Sequence, residues 1–115
     1  MRVYLRVDSH FIERGVFLKL ENKIVNSKKL YCVGYCKNID KYILECCVPE
    51  SAYYNMYYEI SEEEFNKYEE NSSELDELVD YIRRKSYISD RFLFSDLIRD
   101  NNDEQAELKK RAMAD

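Results

Sequence analysis

Few residues in this chain have the type and spacing to do chemistry, and each grouping resolves into something simpler. His10 is the only histidine, next to Ser9 and two positions after Asp8. A serine–histidine–aspartate triad needs three separately positioned groups. Three consecutive residues cannot converge in that geometry, so His10 is expected to be a loop histidine. Gly15 and Gly34 stand alone, so no glycine-rich loop is present to cradle a phosphate. Cys32, Cys36, Cys46 and Cys47 form a C-x3-C pair followed by an adjacent pair. A structural zinc site calls for C-x2-C pairs or histidine partners. These thiols are therefore expected to be reduced core residues, with neither a metal nor a cofactor. Carboxylates are dense over residues 62–80, but nothing converges on any pair of them, as general acid–base work requires. A solvated helix face accounts for them, and no enzymatic activity is expected.

What remains is contact chemistry. Tyr53-Tyr54-Asn55-Met56-Tyr57-Tyr58 places four tyrosines within six residues, directly before an acidic stretch. Tyrosine supplies rigid contact area with a polar tip and is enriched at interfaces. The charge is divided at the same point. Through Ile60 there are nine basic and seven acidic residues, so the net −5 splits as +2 and −7. Most of the excess lies in residues 61–80, where nine acids face only Lys67. Such a field attracts basic surfaces and repels nucleic acid.

The elements that must position these residues follow from periodicity. A chain of 115 residues, 45% hydrophobic and 36% charged, reads as one globular domain. The first eight residues alternate rather than form the apolar core of a signal peptide. No apolar run approaches the ~20 residues needed to cross a bilayer. A soluble, cytoplasmic protein is the expectation. Alternation predicts strands over residues 2–7 and 16–20, a turn at Glu21-Asn22-Lys23, and a short return strand from Ile24 and Val25. The most apolar runs, residues 30–36 and 42–48, read as central strands joined by a hairpin loop at 37–41. Pro49 ends the second of them. The tyrosine segment is read as a strand, with a helix opening at Pro49 as the competing reading. Its core set is read as Tyr54 and Tyr58, and its exposed set as Tyr53 and Tyr57.

From Ser61 the period changes. Ser61-Glu62-Glu63-Glu64 is a capping box, and the acids of that first turn suit the helix dipole. Ser73 is expected to cap a second helix, whose stripe is Leu75, Leu78, Val79 and Ile82. Ser89 is expected to cap a third, over Phe92, Leu93, Phe94, Leu97 and Ile98. Residues 102–115 read as a further helix with little to bury, expected to fray or to dock on a partner. The expected fold is α+β: an antiparallel sheet of four to five strands over about residues 2–60, with three to four C-terminal helices on one face.

The expected function is that of a small, acidic, non-enzymatic binding protein. It would inhibit or neutralise a basic-surfaced protein such as a nuclease, toxin or defence protein, as immunity, antitoxin-like or phage anti-defence inhibitors do. The contact residues would be Tyr53, Tyr57, Glu62, Glu63, Glu69, Glu70, Asp76, Glu77 and Asp80. One alternative is a nucleic-acid or nucleotide-binding sheet face built on Arg2, Tyr4 and Arg6, which the overall acidic charge disfavours. Another is an accessory or structural subunit whose C-terminal helix docks elsewhere.

Overall fold

Five antiparallel strands pair in simple sequence order in the computed structural model, which describes residues 18–49 and 53–114. They are β1 (Glu21–Asn26), β2 (Tyr31–Cys36), β3 (Lys41–Pro49), β4 (Tyr53–Ile60) and β5 (Phe92–Ser95). Among the described residues three α-helices accompany them: α1 (Glu62–Tyr68), α2 (Ser72–Lys85) and α3 (Asp103–Ala112). Short 3-10 turns occupy Ser86–Ile88 and Ile98–Asp100. The fold class is α+β, as periodicity predicts. The expected strand over residues 2–7, with Arg2, Tyr4 and Arg6, lies outside the described residues, as does His10.

Register explains which side chains share a face. Tyr31, Val33 and Tyr35 of β2 stand opposite Cys46, Leu44 and Tyr42 of β3, which in turn oppose Met56, Tyr58 and Ile60 of β4. This face packs under Phe65 of α1 and under Leu75, Val79 and Ile82 of α2. The opposite face carries a second core, in which Ile43, Tyr57 and Phe94 lie with Leu18 and with Ala112 of α3. The helices therefore divide between both faces rather than sharing one. The C-terminal segment, expected to fray or to meet a partner, docks on its own sheet. Asn38 Nδ2 donates to the Ala112 carbonyl at 3.0 Å and to that of Ala114 at 2.6 Å. Lys109 Nζ donates to the Asp96 carbonyl at 3.2 Å.

Three further expectations change. The residues expected to turn at Glu21-Asn22-Lys23 instead open β1 with a bulge, where Asn22 takes φ 54° and the register shifts between Glu21 and Ile24. Gly34 permits this. A Cβ there would lie 2.9 Å from the Glu21 carbonyl oxygen and 2.9 Å from Leu20 Cβ, so only glycine lets the incoming chain cross β2 so closely. The expected third helix is strand β5. A run of four buried residues fits a strand covered on both faces as well as a helix, and the free edge of β4 decides in favour of the strand. Ser89 accordingly caps no α-helix; its hydroxyl accepts from Arg91 N at 3.1 Å within the preceding turn. Lastly, Asn71 rather than Ser73 caps α2, its side chain accepting from Glu74 N at 3.3 Å and from Ser73 Oγ at 3.1 Å.

The outer edge of β5 is closed locally. Ser95 N donates to Asn101 Oδ1 at 2.7 Å, and Asn101 Nδ2 donates to the Ser95 carbonyl at 2.9 Å. One side-chain amide thus stands in for a neighbouring strand at an edge that would otherwise offer unpaired groups.

Candidate functional site

The capping box at Ser61 forms as the sequence implies. Ser61 Oγ accepts from Glu64 N at 3.0 Å, and Glu64 Oε1 accepts from Ser61 N at 2.8 Å. Glu64 has a second role. Arg91, immediately before β5, grips its carboxylate through two nitrogens at 2.8 and 2.7 Å and also donates to the Glu59 carbonyl at 3.1 Å. The Arg91 guanidinium holds the Glu64 carboxyl below the usual carboxylate range. This bidentate pair clamps the start of α1 to β4 and β5.

Beside the clamp lies an open cleft of about 690 Å³, lined by Glu59, Ser61, Glu63, Glu64, Lys67, Asp90 and Arg91. Its cations are already balanced. Arg91 pairs with Glu64, and Lys67 lies 3.6 Å from Glu74. Glu59 pairs with Lys41 at 3.3 Å. Glu63 and Asp90 are exposed and form no ion pair among the described residues. The cleft is therefore net acidic and suited to a lysine or arginine side chain. Glu62, at the start of α1, Glu69 and Glu70, just after it, and Glu77 on α2 are exposed as well.

The other expected contact residues are placed differently. Asp76 and Asp80 turn toward the β1–β2 hairpin and latch α2 to it. Asp76 Oδ1 accepts from Tyr31 OH at 2.7 Å and from Asn26 Nδ2 at 3.0 Å, and Asp80 pairs with Lys29 at 3.0 Å. Burial, followed by the Asp76 hydrogen bond, raises the Tyr31 phenol well above its ordinary range.

Tyr57, expected to be exposed, is 2% exposed and packs on Phe94 with ring centroids 4.8 Å apart. Its hydroxyl donates to Asp96 Oδ1 at 3.0 Å, while Asp96 Oδ2 accepts from Asn55 N at 3.0 Å. The reason is the second core: both faces of β4 are covered, so alternation does not leave one face in water. Tyr53 is 47% exposed, but it lies at the opposite end of β4 from Ser61 and on the face opposite α1 and α2. Seven residues of strand place it roughly 23 Å from Ile60. The tyrosines and carboxylates do not form one surface.

Three exposed side chains escaped the sequence reading. Tyr81, Tyr87 and Ile88 are 50%, 63% and 74% exposed at the carboxyl end of α2. Arg84 and Lys85 lie 5.9 and 5.6 Å from the Tyr81 ring centroid, within cation–π range. A hollow of about 270 Å³ lined by Tyr81, Lys85, Ile88, Ser89, Asp90 and Arg91 shares Asp90 and Arg91 with the acidic cleft. The available signal was that Tyr81 falls off the stripe of Leu75, Leu78, Val79 and Ile82.

All four cysteines are buried and free of disulfides. Burial pushes the Cys46 thiol up to about 12. Among the described residues no group of three or more His, Cys, Asp or Glu side chains is placed to hold a metal ion. No described helix is long and apolar enough to cross a membrane. No family model, curated protein or solved structure matches this chain.

Proposed function

We propose that this protein is a small non-enzymatic binding module that docks on a basic surface of another protein and blocks it, in the manner of an immunity, antitoxin-like or anti-defence inhibitor. The observation that carries this reading is the acidic cleft beside α1, where Glu63 and Asp90 stand without ion-pair partners among the described residues and Glu62, Glu69, Glu70 and Glu77 are exposed nearby on α1, just after it and on α2. A cationic side chain of the target enters the cleft. Exposed Tyr81 and Ile88, at the adjoining hollow, supply the apolar contact that Tyr57 cannot. Long-range attraction sets the rate of encounter, and the apolar anchors set the lifetime of the complex. Asp76 and Asp80 serve the fold, with the contact role passing to their exposed neighbours.

The test is affinity capture from host or producer extract, followed by binding measurements at two salt concentrations. Recovery of a basic-surfaced protein whose affinity falls steeply with salt supports the reading. Recovery of none, or of a partner indifferent to salt, overturns it.

A further inference from the structure

A separate cavity lies between the carboxyl end of α2, the β1–β2 turn and the adjoining ends of β3 and β4. Its volume is about 460 Å³, within the range of small-molecule sites. Val48, Pro49, Met56 and the ring of Tyr54 give it an apolar wall.

Two of its hydroxyls, those of Tyr58 and Ser86, have only a weak acceptor among the described residues. Tyr58 is 1% exposed, and its hydroxyl donates to Met56 Sδ at 3.8 Å. Ser86 Oγ donates to the same sulfur at 4.0 Å. A thioether is a weak acceptor, so two hydroxyl donors at one cavity share one poor partner. Tyr58 is buried and Ser86 half-buried, so a stronger acceptor in the space beside them would serve both hydroxyls better than the thioether does.

The charged side chains that line the cavity among the described residues are all cationic: Lys28, Lys29 and Arg83. Arg83 donates to the carbonyls of Lys29, Leu30 and Cys47 and forms no ion pair among the described residues. Lys28 is exposed at the rim, and Lys29 is balanced by Asp80. Among the described residues no carboxylate lines the cavity. The carboxyl end of α2 opposes an anion, and the Arg83 guanidinium, set in the last turn of that helix, offsets it. Burial raises both the Tyr58 phenol and the Cys46 thiol, so each stays a neutral donor at physiological pH.

We propose that this cavity is a binding site for a small apolar monocarboxylate. The carboxylate accepts from the Tyr58 and Ser86 hydroxyls in the field of Arg83 and Lys28, and the apolar body lies against Val48, Pro49 and Met56. This site is independent of the acidic cleft and of the protein-blocking role proposed for it.

The probe is 3-phenylpropionate, titrated into the isotope-labelled full chain and followed by amide chemical shifts. The expected result is saturable shifts centred on Met56, Tyr58 and Ser86. The neutral probe 3-phenylpropanamide should bind more weakly, and Tyr58→Phe should weaken the acid about tenfold, the loss expected for one hydrogen bond to a charged group. If Tyr58→Phe does not fold, Ser86→Ala at the helix end carries the same test. The proposal is overturned by shifts that fail to saturate at about 10 mM, a ceiling weaker than any useful site. Shifts that map elsewhere overturn it too, as does equal affinity for acid and amide, or a folded variant that binds as tightly as the native chain.

Discussion

Tyr57 is held on several sides, by Phe94 against its ring, by Asp96 at its hydroxyl, and by the strand pairing of β4 with β3 and β5. Removing the ring empties the second core, so Tyr57→Ala should cost about 3–5 kcal/mol in urea unfolding. Tyr57→Phe loses the hydrogen bond to the Asp96 carboxylate and should cost about 1.5–3 kcal/mol. Tyr53→Ala, at a half-exposed position, should cost clearly less, about 1 kcal/mol. Equal costs for Tyr57→Ala and Tyr53→Ala would contradict the burial assigned to β4. Glu64 makes a second test at this scale. Arg91 depresses its folded pKa, so its contribution is full above the unfolded value of about 4.3 and is lost as pH falls through the folded value. Glu64→Gln preserves an acceptor for the capping box and removes the charge. It should destabilise the protein by about 1–2 kcal/mol at pH 7. The difference from the native chain should shrink toward zero in strong acid. A difference that persists there would show that the clamp does not depend on the ionised carboxylate.

At the level of elements, α3 is part of the core. Ala112 is buried on the second face with Leu108 and Met113 packed beside it, and Asn38 ties the Ala112 and Ala114 carbonyls to the β2–β3 loop. Truncation after Asn101 should uncover Ile43 and Phe94 and lower stability by about 3 kcal/mol or more. Unfolding and binding of a hydrophobic dye would read this, and an unchanged unfolding midpoint would refute it. The strands β2, β3 and β4 were legible because alternation, apolar runs and Pro49 agree with one another. The start of α1 was legible because the capping box is a local hydrogen-bond pattern. β5 was not, because Phe92-Leu93-Phe94-Ser95 is too short for its period to separate strand from helix. The second core was hidden for a different reason. Alternation assigns residues to two faces but says nothing about what covers each, and antiparallel sheets often leave one in water. Here Glu45 and Asn55 sit on the covered face and are buried, although such polar side chains mostly lie in water. The near-continuous apolar runs of β2 and β3 were the available hint.

Across the whole molecule, the charge division seen in sequence persists, but its components separate by task. Asp76, Asp80 and Glu64 are engaged with Lys29, Tyr31, Asn26 and Arg91, holding helices to sheet. Glu62, Glu63, Glu69, Glu70 and Glu77 remain exposed on and around α1 and α2, as the proposed docking surface requires. That division could not be read from composition, because neighbours such as Asp76 and Glu77 differ only in which side of a helix they occupy. The cavity beside Tyr58 was equally invisible, since residues from the β1–β2 turn, β3, β4 and α2 meet only in the folded chain. The most direct test of the central claim is the association rate between a captured basic partner and the native chain, compared with a Glu62→Lys, Glu63→Lys double variant, at low and at physiological salt. Both positions are exposed, so the stability cost should be confined to the lost helix-dipole interaction, about 0.3–1 kcal/mol at each. Charge reversal should slow association about tenfold or more at low salt, and added salt should narrow the gap. Equal rates for the two proteins at low salt would contradict it.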